Sequence, residues 1–306
     1  MKNEWLKLLV KVLVFCVLLI SIDFGYGKIC RYMEERSTVH NPTSFTAEYT
    51  MWHVNEDVLI IGASEAQHSY VSKILADNLG MSVYNCGEDG QFFYYQNAMV
   101  NGILDRYCPK LIIWSVNPSF LSFNPLAKER IGALKPFADE NAYCRDMLRI
   151  KSKYEPLKIK SSCYVYNSDI LPFVVSSISN PVTDNNWGWV PSNSKASPPE
   201  IKEAKYVNET DETCLSIFDL TLSRLKKNNI DVVFVFTPSY ETGVYDTLDS
   251  YHSLLNTTNK YGYPIIEDLY HHDTLMDSTL YRDNMHLNKE GAVLFTTMLT
   301  EKLNYK

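Results

Sequence analysis

Short apolar runs and longer amphipathic stretches alternate along most of this chain, but the first apolar run is of another kind. Residues 5–22 read WLKLLVKVLVFCVLLISI, with Lys2, Lys7 and Lys11 ahead of an uncharged segment at 12–22. That segment is shorter than the ~20 residues a spanning helix needs. Lysine stems reach toward headgroups, however, and lengthen the usable span. Lysines before the run and few after it place the N-terminus in the cytoplasm and the body outside. A cleaved signal peptide has the same layout, although no small-x-small site follows residue 22. Residues 1–22 therefore predict a membrane anchor or a signal segment, and either one exports the body. If the segment is cleaved, the protein is secreted. Residues 23–56 are polar and without clear period, and they read as a juxtamembrane stalk.

From residue 57 to 306 the pattern is that of one domain. DVLIIG predicts a first strand, and SEAQHSYVSKILADNLG a helix with Ala66, Tyr70, Ile74 and Leu79 spaced to face a sheet. SVYNCG predicts a second strand, followed by a helix at about 91–107, and KLIIWSVN a third strand. IDVVFVFTP and YPIIEDL supply a fourth and a fifth, with an amphipathic stretch at 213–228 ahead of the fourth. A helix at 288–303, with Asn288 as its cap, closes the series. Strands alternating with helices predict an α/β fold, a mostly parallel sheet between two helical layers. The alternation lapses at about 119–211, which predicts an irregular insertion packed on the sheet or forming part of a site.

Composition narrows the function. Hydrophobic residues make up 45% and charged residues 21%, as in an ordinary globular protein. The net charge is −7 with no long basic block, which argues against nucleic acid as a partner. The seven cysteines form no C-x-x-C pair, so no zinc site is expected, and no metal or other cofactor is called for. The six outside the apolar run either pair as disulfides in an oxidising compartment or stay as buried thiols.

In a parallel sheet, ligands bind outside the carboxyl ends of the strands. The residues there are Ser64, Gly87 and Asn117. Ser64 is either a helix N-cap or a nucleophile. The nucleophile reading gains from its neighbours: backbone N–H groups at Ser64 and Gly87 and the Asn117 amide are what an oxyanion hole needs. A base stands in YRDNMHLNKEGA, where Asp283 precedes His286 by three residues. Side chains so spaced share a face in a turn, so the carboxylate can fix one imidazole nitrogen and leave the other free for the serine proton. The segment NPVTDNNWGWVPSNSKASPPE places Trp187 and Trp189 in a polar stretch. They are expected near the site, stacking on a sugar. The plainer alternative is that they pin a surface loop to the body.

These stretches resemble blocks I, II, III and V of the SGNH (GDSL-like) hydrolase superfamily, in the order that family uses. Ser64 matches the block I serine, Gly87 in YNCGEDGQ the block II glycine, and Asn117 in WSVNPS the block III asparagine. Asp283 and His286 match the D-x-x-H of block V. The resemblance implies a flavodoxin-like three-layer fold. It also implies a catalytic triad of Ser64, His286 and Asp283, and an oxyanion hole of Ser64, Gly87 and Asn117. Ala63, Glu65, Ser115 and Leu287 depart from the family's usual residues but remove no reacting group. An exported member implies O-acyl, above all O-acetyl, groups of carbohydrate outside the cytoplasm as substrate, with water or a sugar hydroxyl as acceptor. The alternatives are an O-acyltransferase of the same fold and a non-catalytic, membrane-tethered glycan-binding protein. GASEA nearly fits the G-x-S-x-G elbow of α/β-hydrolases, but there the serine follows a later strand. No G-x-G-x-x-G follows the first strand, which excludes a dinucleotide site.

Overall fold

In a computed structural model of the chain, residues 2–38, 46–167, 170–177, 186–193 and 197–303 are described. The strands of the central sheet are β1 (Val58–Ile61), β2 (Val83–Asn85), β3 (Leu111–Val116), β4 (Asp231–Phe236) and β5 (Ile265–Ile266). All run parallel in the order β2-β1-β3-β4-β5. The principal helices are α1 (Lys2–Thr38), α2 (Ser64–Ser69), α3 (Ser72–Leu79), α4 (Phe93–Leu104), α5 (Ala142–Lys151), α6 (Ile170–Ser177), α7 (Glu212–Lys227), α8 (Asp249–Tyr261) and α9 (Lys289–Leu303).

Alternate side chains of a strand point to opposite faces, and here both faces are covered. Leu59, Ile61, Ile112, Trp114, Val232 and Phe234 pack against α4, α7 and α8. Val58, Ile60, Ile113, Val233 and Val235 pack against α2, α3 and α9. A strand buried on both faces needs a continuous apolar run, and that is what VLII and VVFVF supply. Trp114 centres the first core: it stacks on Phe234 with centroids 5.7 Å apart and donates its indole N–H to Gln96 Oε1 at 2.9 Å. The three-layer α/β/α architecture expected from the alternation is the one observed.

Three expectations need correction. The helix after β1 is two helices, because Tyr70 and Val71 are extended (φ −105°, ψ 107° and φ −81°, ψ 99°). The break is held by tertiary partners: Val71 N–H donates to Thr296 Oγ1 (3.0 Å), and the Asn85 amide donates to the carbonyls of Ala66 (2.8 Å) and Tyr70 (3.0 Å). The stalk is not a stalk. α1 continues through residue 38, with Cys30 buried, and Met51 and Val54 are fully buried in the core. The insertion is largely helical over residues 125–167 and 170–177, and irregular in its later described part, residues 186–193 and 197–211. Asn124 and Asn141 cap its turns by accepting from Leu126 N–H (2.9 Å) and Cys144 N–H (3.0 Å). Residues 168–169, 178–185 and 194–196 of that insertion lie outside the described residues. All seven cysteines are free thiols. α1 includes a stretch, Asn3–Met33, in which an 18-residue window has a mean hydropathy of 2.5, and it is long and apolar enough to cross a membrane.

Candidate active site

The strand order reverses direction between β1 and β3: from β1 the chain moves outward to β2, and from β3 outward to β4. Ligand crevices form at such a switch point. Ser64 leaves β1 there as the first residue of α2, and Asn117 follows β3. The loop after α8 and β5 returns to the same rim and delivers residues 283–286.

There the structure brings Ser64, His286 and Asp283 together. His286 Nε2 lies 2.7 Å from Ser64 Oγ, and His286 Nδ1 lies 2.8 Å from Asp283 Oδ1. Nδ1–H therefore donates to the carboxylate, and Nε2 is left to accept the serine proton. Asp283 Oδ1 also accepts the N–H groups of Met285 and His286, both at 3.0 Å. Burial pushes this carboxyl up. The Met285 N–H together with the His286 ring and N–H outweigh that push and hold it below its ordinary range. Asp283 thus stays a carboxylate through neutral pH.

Sequence reading missed the second histidine of the site. The His68 ring stands edge-on to His286 with centroids 5.8 Å apart, and its Nδ1–H donates to the Val190 carbonyl at 2.7 Å. Burial, above all, lowers its pKa, and the nearby His286 lowers it further. A neutral ring so placed supports His286 without opposing the charge that ring gains when it takes a proton.

The donor assignment at the second strand is corrected. Gly87 N–H is consumed: it donates to Asn85 Oδ1 at 2.9 Å. Gly87 lies beneath α2, where a Cβ would stand 2.4 Å from Gln67 N, so its role is close packing of the helix that begins at Ser64. Gly90, three residues on, lines the cleft, and among the described residues its N–H has no acceptor. The signal was available in YNCGEDGQ, which holds two glycines. Choosing between them required knowing which N–H the buried Asn85 side chain occupies. Asn117 also lines the cleft. Its Oδ1 accepts Ser119 N–H at 3.0 Å, which turns its amide nitrogen free. Ser64 N–H opens a helix and has no intrahelical acceptor.

The loop that carries Gly90 also holds Glu88, 4% exposed, with Oε2 lacking a hydrogen-bond partner among the described residues. Burial, with the Asp89 charge beside it, raises its pKa to about 8. The folded-state value thus lies above the unfolded one. Stability from this group is full below the ordinary carboxylate range and is lost as pH rises toward about 8. We expect unfolding midpoints to fall between about pH 5 and about pH 8, with a slope of at most ~1.4 kcal/mol per pH unit from this group. Glu88→Gln should remove that part of the slope. Parallel slopes for the two proteins would show that Glu88 is already ionised when folded.

The cleft has a volume of about 590 Å³. Phe92, Val116, Phe120, Phe123 and Tyr270 give it apolar walls, and Glu65 stands beside the serine with Oε2 3.4 Å from Ser64 Oγ. The structure does not bring Trp187 and Trp189 into it. Trp189 is 9% exposed in the core beneath α2 and α9, and its indole N–H donates to the His68 carbonyl at 2.9 Å. Trp187 has a left-handed backbone (φ 52°), and its carbonyl accepts from Asn85 N–H (2.9 Å) and Ser72 Oγ (2.8 Å). Its ring lies under Lys73, on α3. The pair pins its segment to the body, as the plainer reading had it.

No family model and no curated protein matches this chain. Among solved structures it is similar to one described as a lipolytic protein of the G-D-S-L family from Desulfitobacterium hafniense. The TM-score is 0.41 at 13% identity, covering 81% of this chain and 99% of that one. It is similar as well to one described as an acylhydrolase from Bacteroides fragilis, with a TM-score of 0.41 at 11% identity, covering 84% of this chain and 93% of that one.

Proposed function

We propose that the protein is a serine esterase of the SGNH type that cleaves O-acyl esters through an acyl-serine intermediate. One observation carries this reading: the continuous hydrogen-bonded chain Asp283–His286–Ser64, opening onto a cleft where three further donors have no acceptor among the described residues. His286 Nε2 takes the Ser64 proton as Oγ attacks the ester carbonyl. The negative charge that develops on the carbonyl oxygen is met by the N–H groups of Ser64 and Gly90 and the Asn117 amide. Asp283 holds the tautomer and stabilises the imidazolium. His286 then gives its proton to the departing alcohol, and water repeats the sequence in reverse. A sugar hydroxyl in place of water would make the same site a transferase.

The apolar walls suit the acyl group. The alcohol in this proposal is a carbohydrate hydroxyl outside the cytoplasm, the side on which the lysines ahead of the α1 span would put the body. Docking of Asp23, Tyr26 and Cys30 of α1 onto the body supports an anchor that is kept. A fluorophosphonate probe tests the chemistry: it should label the full-length protein and fail to label Ser64→Ala. An unlabelled wild type, or a labelled Ser64→Ala, ends the esterase reading and returns the non-catalytic alternative.

A further inference from the structure

α6 exposes an unusual face. Ile170, Leu171, Val174 and Val175 are 41%, 68%, 44% and 54% exposed, and their spacing sets them on one side of the helix. Phe173 faces inward and packs against Tyr166, with ring centroids 6.0 Å apart. α6 lies against α1, and the attachment is made where the apolar run of α1 ends. The Asp23 carboxylate accepts from Ser161 Oγ (2.7 Å), Ser162 N–H (2.9 Å) and Cys163 N–H (2.8 Å). Tyr26 OH donates to the Tyr166 carbonyl at 3.0 Å. The backbones meet closely, since a Cβ on Gly27 would lie 2.1 Å from Ser162 Oγ.

Charge points the same way. Residues 149–160 carry Arg149, Lys151, Lys153, Lys158 and Lys160; Arg149 pairs with Asp146, Lys158 with Glu155 and Lys160 with Asp139, and among the described residues Lys151 and Lys153 make no ion pair. Glu155 is buried and held by Lys158 Nζ (2.8 Å) and Tyr164 OH (2.6 Å), which ties this basic segment to the turn that α1 grips. A domain tethered at a bilayer presents to it whatever surrounds the tether. Here that is an apolar helix face and, in the segment tied to the turn that α1 grips, Lys151 and Lys153, a combination that settles in the headgroup layer.

We infer that α6, Lys151 and Lys153 form a second membrane contact, with the α6 face in the interfacial layer and the two lysines on anionic headgroups. This rests on α1 being retained as the anchor. It makes residues 149–167 and 170–177 a platform that fixes the body's tilt instead of leaving it to swing on a tether.

The test uses full-length protein in phosphatidylcholine–phosphatidylglycerol vesicles, with the exposed cysteines Cys16, Cys108 and Cys163 changed to serine. A fluorophore sensitive to polarity is attached at Leu171→Cys, at Leu13→Cys in the apolar run, or at Leu220→Cys on the exposed face of α7. The Leu171 label should emit at shorter wavelength and be quenched by lipids spin-labelled near the headgroup. The Leu220 label should be quenched by aqueous iodide alone. Changing Lys151 and Lys153 to glutamine should reduce lipid quenching at Leu171 at least twofold. A lipid-buried Leu13 label with an aqueous Leu171 label overturns the inference and leaves the anchor standing. Aqueous labels at both positions overturn the anchor as well. Energy transfer between Leu171 labels of two copies, without lipid quenching, assigns the face to self-association and also overturns it.

Discussion

Ser64→Ala should slow ester hydrolysis by about 10⁴–10⁶-fold, His286→Ala should do comparable damage, and the double variant should be little slower than either. The non-additivity follows from geometry. At 2.7 Å the hydroxyl and the imidazole perform one proton transfer, so removing the second partner takes nothing the first loss had not already taken. Asp283→Asn should cost less, because its carboxylate orients the ring and does not itself move a proton. All four variants should unfold near the wild-type midpoint, since each group lies at the edge of the cleft and not in either core. Steady-state rates on a small chromogenic ester, paired with a denaturation curve, provide the check. Fully additive losses would mean that serine and histidine act separately, and the triad assignment would fail.

Asn117→Ala should cost about 10²–10³-fold in kcat, equivalent to ~2.7–4 kcal/mol of barrier, with KM nearly unchanged. The split follows from when the amide works. A planar ester carbonyl places little charge on its oxygen, and the tetrahedral species places a full one, so the donor matters mainly in the transition state. Asn117→Asp should be worse than alanine, because it sets a carboxylate where the oxyanion forms. A variant that raised KM and spared kcat would make Asn117 a binding residue, and the third donor would have to be sought elsewhere on the rim.

Much of this was legible in the sequence, for reasons that particular residues make plain. The parallel sheet was written in VLII, LIIWSV and DVVFVF, since strands covered on both faces need unbroken apolar runs. The pairing of Asp283 with His286 was legible because three residues in a turn fix a local geometry. Long-range competition for hydrogen bonds was not. Nothing between 83 and 90 discloses that the Asn85 side chain occupies Gly87 N–H and the carbonyls of Ala66 and Tyr70. That one amide both occupies the Gly87 N–H and helped break the predicted helix. The tryptophans were misplaced for a similar reason: the Trp189 indole found its acceptor at His68, far away in sequence, and was drawn into the core. The stalk was misread because its burial depends on distant segments: Met51, within it, packs in a core that those segments build.

The two halves of the site are 222 residues apart in the chain. They meet only when α9 has packed against α2 and α3. On the proposed topology, Ser64 would cross the membrane soon after the anchor is set, and residues 283–286 only near the end of translocation. A chain still threading outward therefore holds a serine without a base. Hydrolytic competence would be withheld until synthesis and export are nearly finished, which keeps the esters of the cell interior out of reach without any inhibitor or propeptide.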